Sequence, residues 1–173
     1  MKEILYNYDY LKKEDINNNI DRVKILLVNS KNEILLGFEH NTYQFIGGHV
    51  EDDETWNDCI IREVKEETGI EIKDIDVKPF FTIRYFCKNY PNKNENSEFT
   101  INYYVIRTDK KINLENTEYT DHEKEGNFEL KYVSLDKIEK VLEESVELNK
   151  ENKVIVPEML EVLKEYKNQL EEK

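Results

Sequence analysis

The chain has 173 residues, enough for one domain with a hydrophobic core. Its 38 acidic and 25 basic residues give a formal charge of −13, which disfavours the cationic phosphate contacts that binding to long nucleic acids needs. A small phosphorylated ligand stays compatible with this charge if a metal ion screens it.

The two cysteines, Cys59 and Cys87, are too few for a disulfide framework and lack the spacing of a zinc site. The first residues contain no apolar signal region, and no apolar run approaches the length of a membrane span. We therefore expect a cytoplasmic protein with no membrane partner.

The first half of the chain predicts strands followed by one helix. Residues 1–20 are mixed and give no assignment. Apolar runs on both sides of a polar turn predict a hairpin, a further strand precedes Gly47-Gly48, and helical spacing follows. The predicted elements are strands Val23–Val28, Ile34–Leu36 and Tyr43–Ile46, and a helix over 55–68 with Thr55 as N-cap and Gly69 as C-cap.

The second half returns to strands and ends in helices. We predict strands Val77–Cys87, Phe99–Ile106 and Leu130–Val133, a loop over 108–128, a helix capped by Ser134 that runs to about Glu147, and a helix over Val156–Glu171. This order predicts one mixed α/β domain.

Three glutamates of the central helix are candidates for a metal site. Glu63, Glu66 and Glu67 are spaced by three and four residues, which places them within one arc of the helix. Carboxylate oxygens at this density suit Mg²⁺ or Mn²⁺. The alternative is a solvated acidic face, which is common in so charged a chain.

The surrounding spacing distinguishes these readings. Gly48 is followed after five residues by Glu54, and after seven more by Arg62-Glu63-Val64-Lys65-Glu66-Glu67-Thr68-Gly69-Ile70. This pattern resembles the signature of the Nudix hydrolase family (MutT-like) at every fixed position. Ile46 and Asp53 depart from the residues frequent in the family at two loop positions, neither of which holds a metal ligand.

The resemblance implies an α/β (α+β) fold, a Nudix-type α/β/α sandwich with a mixed central sheet and C-terminal helices. One domain would fill residues 1–173, with its core over about 20–145 and a C-terminal helix over about 155–171. The resemblance also implies metal binding by Glu63, Glu66, Glu67 and the backbone of Gly48, with Glu54 and Arg62 supporting the loop and the helix.

The function implied is metal-dependent hydrolysis of a diphosphate linkage in a nucleoside diphosphate derivative, by water attack at phosphorus. The substrate class includes nucleoside triphosphates, nucleotide sugars, ADP-ribose and dinucleoside polyphosphates. The alternatives are a non-catalytic nucleotide sensor of the same fold and an isoprenoid diphosphate isomerase. The general base is left open among Glu63, Glu66, Glu118, Glu123, Glu125 and Glu129, with Glu129 preferred as an extra ligand or base.

Substrate contacts are expected from Arg22, His49, Arg84 and Tyr85. Specificity is expected from loops 38–45, 88–98 and 108–128. The expected partner is a small phosphorylated molecule, no nucleic-acid polymer is expected, and a homodimer is left open.

Overall fold

The computed structural model describes residues 2–171 as a mixed sheet with helices on both faces. The strands are β1 (Lys2–Tyr6), β2 (Asn18–Val28), β3 (Glu33–Glu39), β4 (Thr42–Phe45), β5 (Phe81–Cys87), β6 (Ser97–Arg107) and β7 (Glu129–Ser134). The helices are α1 (Trp56–Thr68), α2 (Asp121–Glu125), α3 (Ile138–Ser145) and α4 (Asn152–Glu171). Short 3-10 turns span Lys13–Asp15, Leu114–Asn116 and Val146–Leu148.

The sheet runs in the order β1-β5-β6-β2-β3-β4, and β7 pairs with β3. The β1–β5 and β2–β6 pairs are parallel, whereas the other pairs are antiparallel. β2 pairs with β3 at Leu27 and Val28, and bridges join Ile25 to Ile46 and Arg22 to His49 further back along β2. The loop that holds Gly47-Gly48 is therefore pressed against β2.

Alternation along β2 divides the core into two layers. Val23, Ile25 and Leu27 point to the face covered by α1. Leu26 and Val28 point to the face covered by α3 and α4. The two layers confirm the predicted sandwich with a mixed central sheet.

The ends of α1 follow from its local sequence. The Thr55 hydroxyl accepts a hydrogen bond from the Asp58 N–H, and the Asp58 carboxylate accepts one from the Thr55 N–H. At the other end Gly69 adopts φ 66°, and its N–H donates to the Lys65 carbonyl at 2.7 Å. These caps confirm the predicted boundaries of the helix.

The structure differs from the sequence analysis at several elements. β2 begins at Asn18 rather than Val23. β1 lies in the segment left unassigned, and the loop predicted over 108–128 contains α2. Ser134 belongs to β7 and does not cap α3, since Lys137 is the N-cap residue and its N–H donates to the Ser134 carbonyl. β5 begins at Phe81 rather than Val77, after Pro79, which cannot donate to a strand ladder.

No helix within residues 2–171 has both the length and the apolar character needed to cross a membrane.

Candidate active site

The three motif glutamates differ in how far α1 buries them. Glu63 and Glu67 are 8% and 5% exposed, whereas the Glu66 side chain is 32% exposed at the mouth of a cleft. Burial raises the pKa of Glu63, although hydrogen bonding from Arg62 opposes the rise. The helix therefore presents two buried carboxyl groups and one accessible carboxylate to the same cleft.

Arg62 joins the loop before α1 to the helix. Its Nε and Nη2 donate to the two oxygens of Glu54 at 2.8 and 2.9 Å. Its Nη1 donates to Glu63 at 2.8 Å and to Glu66 at 3.0 Å, and its Nη2 also reaches the His49 carbonyl. This fork fixes two of the three motif carboxylates, in the manner for which a guanidinium is suited.

The glycine pair approaches the carboxylates closely. A Cβ added at Gly48 would lie 2.5 Å from Glu63 Oε1, so only glycine fits without displacing that carboxylate. The Gly47 N–H donates to Glu67 Oε1 at 2.9 Å. The other oxygen, Glu67 Oε2, is buried and has no hydrogen-bond partner among residues 2–171.

An unpartnered buried carboxylate oxygen is costly unless something else satisfies it. Carboxylate oxygens of this kind are the ligands that hard divalent cations prefer. The chemistry of Glu63, Glu66 and Glu67, together with the orphaned oxygen, therefore fits Mg²⁺ or Mn²⁺.

Cationic side chains of β2 form another wall of the cleft. Lys24 is half-buried, and its Nζ donates to the Gly47 carbonyl at 2.6 Å and the Phe45 carbonyl at 3.0 Å. Burial lowers the pKa of Lys24 and raises that of Glu67, and the attraction between the two charges opposes both shifts. Arg22 Nε donates to His49 Nε2 at 3.0 Å, and burial lowers the pKa of His49, with Arg22 and Lys24 adding to the effect.

The cleft has a volume of about 500 Å³. A segment after β6 closes one side of it, because the Asn113 N–H donates to the Thr68 carbonyl and the Glu118 N–H to the Glu66 carbonyl. The cleft is lined by Arg22, Lys24, Glu39, Gln44, Gly47, Gly48, His49, Glu51, Arg62, Glu63, Glu66, Glu67, Glu118, Thr120, His122 and Glu123.

The structure brings most of the expected site residues together. Glu54 and Arg62 brace the loop against the helix, while Arg22 and His49 line the cleft beside Gly48 and the motif glutamates. Of the two downstream loops proposed for specificity, 108–128 contributes lining residues and 88–98 contributes none.

Four residues expected to contact substrate, bind a metal or act as the base lie outside the cleft lining. Arg84 is paired with Glu98 and Glu3, and Tyr85 donates to Glu158 at 2.5 Å. Glu129 is exposed at the start of β7, 3.6 Å from Lys131. Glu125, on α2, is exposed and also absent from the lining, whereas Glu118 and Glu123 belong to it.

Sequence reasoning expected specificity from loops 38–45 and 108–128 but did not single out individual cleft residues there, and it missed others outside those loops. The cleft residues not singled out are Lys24, Glu39, Gln44, Glu51, Thr120 and His122. Lys24 could have been noticed in the sequence, because a lysine within the otherwise apolar run Val23–Val28 needs polar partners for its ammonium group. The others had no individual signal, because only the fold brings their strands and loops to α1.

Comparison with known proteins identifies the domain type. The sequence profile described as NUDIX domain matches residues 18–167. Two curated relatives named NAD-capped RNA hydrolase NudC, from Vibrio parahaemolyticus and Photobacterium profundum, are 44% and 46% identical over 55 residues. Each match covers 30% of this chain and 21% of the relative, so the chain spans about a fifth of the length of these relatives.

Solved structures share the arrangement of strands and helices. The dihydroneopterin triphosphate pyrophosphohydrolase of E. coli superposes with a TM-score of 0.51 at 15% identity, over 69% of this chain and 84% of that one. MutT from Methanosarcina mazei Go1 superposes with a TM-score of 0.49 at 24% identity, over 70% of this chain and 81% of that one. The first likeness supports the fold assignment alone.

Proposed function

This chain belongs to the Nudix family, and we propose that it hydrolyses a diphosphate linkage in a nucleoside diphosphate derivative. The observation that carries the proposal is the packing of Gly48 against the Glu63 carboxylate beside the unpartnered oxygen of Glu67. Both features belong to a cleft that also holds the accessible Glu66 and a cationic wall. A solvated acidic face has none of them.

Glu63, Glu66 and Glu67 would hold the divalent cation, with the Gly48 backbone beside it. A bound Mg²⁺ or Mn²⁺ supplies charge neutralisation and polarises water and phosphoryl oxygens. Arg62 keeps Glu63 and Glu66 oriented, so the carboxylates are preorganised before substrate arrives.

The remaining cleft residues bind substrate and handle the proton. Arg22 lies where it can pair with a phosphate, and its hydrogen bond to His49 orients both side chains. Because His49 Nε2 accepts from Arg22, the other ring nitrogen of neutral His49 carries the proton and can donate a hydrogen bond to substrate. The base that accepts the proton from the attacking water is to be found among Glu63, Glu66, Glu118 and Glu123, the base candidates that line the cleft.

The substrate class covers nucleoside triphosphates, nucleotide sugars, ADP-ribose and dinucleoside polyphosphates. The NudC relatives are named for NAD-capped RNA, which adds a capped RNA end to the substrates worth testing. The preference for a small phosphorylated partner and the cytoplasmic location stay predictions from the sequence, and a homodimer stays open.

The test is a turnover panel of these compounds with Mg²⁺ and with Mn²⁺, comparing the wild type, Glu66→Gln and the control Glu143→Gln. Glu143 is exposed on α3 and lies outside the cleft lining. We expect metal-dependent phosphate or nucleotide release that falls by orders of magnitude in Glu66→Gln alone. Equal release in all three proteins would contradict the assigned site, and binding without cleavage would indicate the sensor.

A further inference from the structure

A second group of metal-binding side chains lies at the cleft, apart from the glutamates of α1. Glu39 ends β3, His40 follows it in the turn to β4, and His122 lies in the first turn of α2. Each offers a ligand atom, and these atoms lie within 4.8 Å of one another. Together they form what we name the Glu39–His40–His122 cluster.

The carboxylate of this cluster is incompletely satisfied. Glu39 Oε1 accepts a hydrogen bond from Gln44 Nε2 at 2.7 Å. Glu39 Oε2 is buried and has no hydrogen-bond partner within residues 2–171. A buried carboxylate oxygen left in this way needs a cation or a donor that the protein itself does not supply.

The two imidazoles also have their nitrogens available. Their rings are stacked with centroids 4.8 Å apart and an interplanar angle of 23°. No hydrogen bond within the described part of the chain engages a ring nitrogen of either histidine. Ring nitrogens that make no hydrogen bond to the protein are available as metal ligands.

The backbone holds the cluster in place. The His40 N–H donates to the Gly126 carbonyl at 3.3 Å, and the His40 carbonyl accepts from Asn149 Nδ2 at 2.8 Å. A Cβ at Gly126 would lie 2.6 Å from the His40 ring, so this glycine leaves room for the imidazole. Thr120 caps α2 and so fixes the helical turn that carries His122.

We propose that Glu39, His40 and His122 bind a transition-metal cation of the Zn²⁺ or Co²⁺ type, at a site distinct from that of the motif glutamates. Two imidazoles and one carboxylate favour such ions, whereas an all-carboxylate set favours Mg²⁺. Three protein ligands leave a coordination position for water or for an anionic oxygen. Since Glu39 and His122 line the same cleft as Glu63, Glu66 and Glu67, the cation would add positive charge to the substrate's surroundings.

The test is a Co²⁺ titration followed by visible absorption, with excess Mg²⁺ present to occupy the carboxylate site and Zn²⁺ added at the end. The proteins are the wild type, His122→Asn, His49→Asn and Glu66→Gln. His49 is the matched control, because it is the one histidine of the chain outside the cluster and it lines the same cleft.

We expect one Co²⁺ per chain in the wild type, displaced by Zn²⁺, with the same spectrum in His49→Asn and Glu66→Gln. Binding in His122→Asn should be at least about tenfold weaker, with an unchanged far-UV circular dichroism spectrum because His122 is exposed. Equal affinity in His122→Asn, or loss of the spectrum in Glu66→Gln or His49→Asn, would overturn the proposal. No step of this test depends on hydrolysis, so its failure is distinguishable from failure of the proposed activity.

Discussion

Gly48 shows how a single residue type can be required by a side chain rather than by the backbone. Its φ lies outside the left-handed region that Gly47 and Gly69 occupy. Alanine would therefore suit the backbone at position 48, but its Cβ would meet the flexible end of Glu63. The cost of the substitution should fall on the carboxylate's position and hence on metal binding.

We predict that Gly48→Ala loses most of the Mg²⁺-dependent activity while its melting temperature changes little. The matched control is Gly37→Ala, whose Cβ would meet the buried Phe128 ring at 2.7 Å, away from the motif glutamates. Such overpacking costs about 1–3 kcal/mol, so this variant should lose stability and keep its Mg²⁺ dependence. Thermal unfolding and a Mg²⁺ titration of activity measure both effects, and an unaltered Mg²⁺ titration in Gly48→Ala would refute the prediction.

The sequence alone could identify those site residues that lie close together along the chain. Glu63, Glu66 and Glu67 share one helix, and Gly48, Glu54 and Arg62 precede or belong to it within a fixed interval. Glu39 and His122 are separated by 83 residues, about half the chain, and their proximity depends on how β3 meets the segment after β6. No periodicity encodes that contact, so local reasoning could not find it.

At the scale of elements, the C-terminus of α1 links the fold to the cleft. Gly69 adopts φ 66°, and a Cβ there would lie 1.8 Å from the Asn113 carbonyl oxygen. Asn113 in turn docks on α1 through its bond to the Thr68 carbonyl. The segment that starts at Asn113 continues to the cleft residues Glu118 to Glu123.

We predict that Gly69→Ala and Gly69→Asn both destabilise the protein and raise KM more than they lower kcat. Asparagine tolerates the left-handed conformation, which costs other residues about 1–2 kcal/mol. It cannot avoid the contact with Asn113, so the asparagine variant should recover only a minor part of the stability lost by the alanine variant. Chemical denaturation and steady-state kinetics provide the measurements, and full recovery in Gly69→Asn would show that the backbone conformation alone matters.

A buried carboxylate of β6 connects three other segments of the chain. Glu98 on β6 is 5% exposed and accepts hydrogen bonds from Lys13 and from Arg84 on β5. Arg84 also reaches Glu3 on β1 at 3.0 Å. Burial raises the pKa of Glu98, but the hydrogen bonds from Lys13 and Arg84 outweigh it and hold the pKa below the usual glutamate value.

A depressed pKa in the folded state means that ionised Glu98 stabilises the fold above the unfolded pKa of about 4.3. The stabilisation is lost as the pH falls through the lower folded-state pKa. We predict that Glu98→Gln lowers the free energy of unfolding by roughly 1.5–3 kcal/mol at neutral pH, and that the difference from wild type shrinks in acid. The control Glu144→Gln, whose partner Lys140 is 3.6 Å away on an exposed surface, should stay within about 0.5 kcal/mol. A difference that grows on acidification would contradict the prediction.

The elements themselves were predictable where their pattern is local and strong. α1 has a capping box and a glycine C-cap in the sequence, and its boundaries are confirmed. β1 is five residues long and depends on parallel pairing with β5, about half the chain away, so nothing local marks it. α2 forms one turn under a Thr120 cap within a polar segment, too short for an apolar periodicity to reveal it.

At the scale of the molecule, one sheet separates two apolar layers that different helices cover. The α1 layer includes Ile60, and the α4 layer includes Leu163, both fully buried. β2 and β6 contribute side chains to both layers, so neither layer can lose its packing without exposing the other. The chain should therefore unfold as one cooperative unit.

The chain carries two probes that report on the two layers separately. Its one tryptophan, Trp56, packs against the α1 layer, and α4 together with α3 provides most of the helical circular dichroism signal. We predict that the two signals give coincident denaturation curves in the wild type, in Leu163→Ala and in Ile60→Val. The losses of unfolding free energy should be about 2–5 kcal/mol for Leu163→Ala and about 0.5–1.5 kcal/mol for Ile60→Val, whereas the control Leu148→Ala, at a residue 55% exposed, should change it little. If Leu163→Ala shifted the circular dichroism curve and left the Trp56 fluorescence curve in place, α4 would unfold independently of α1 and the two layers would not form a single cooperative domain.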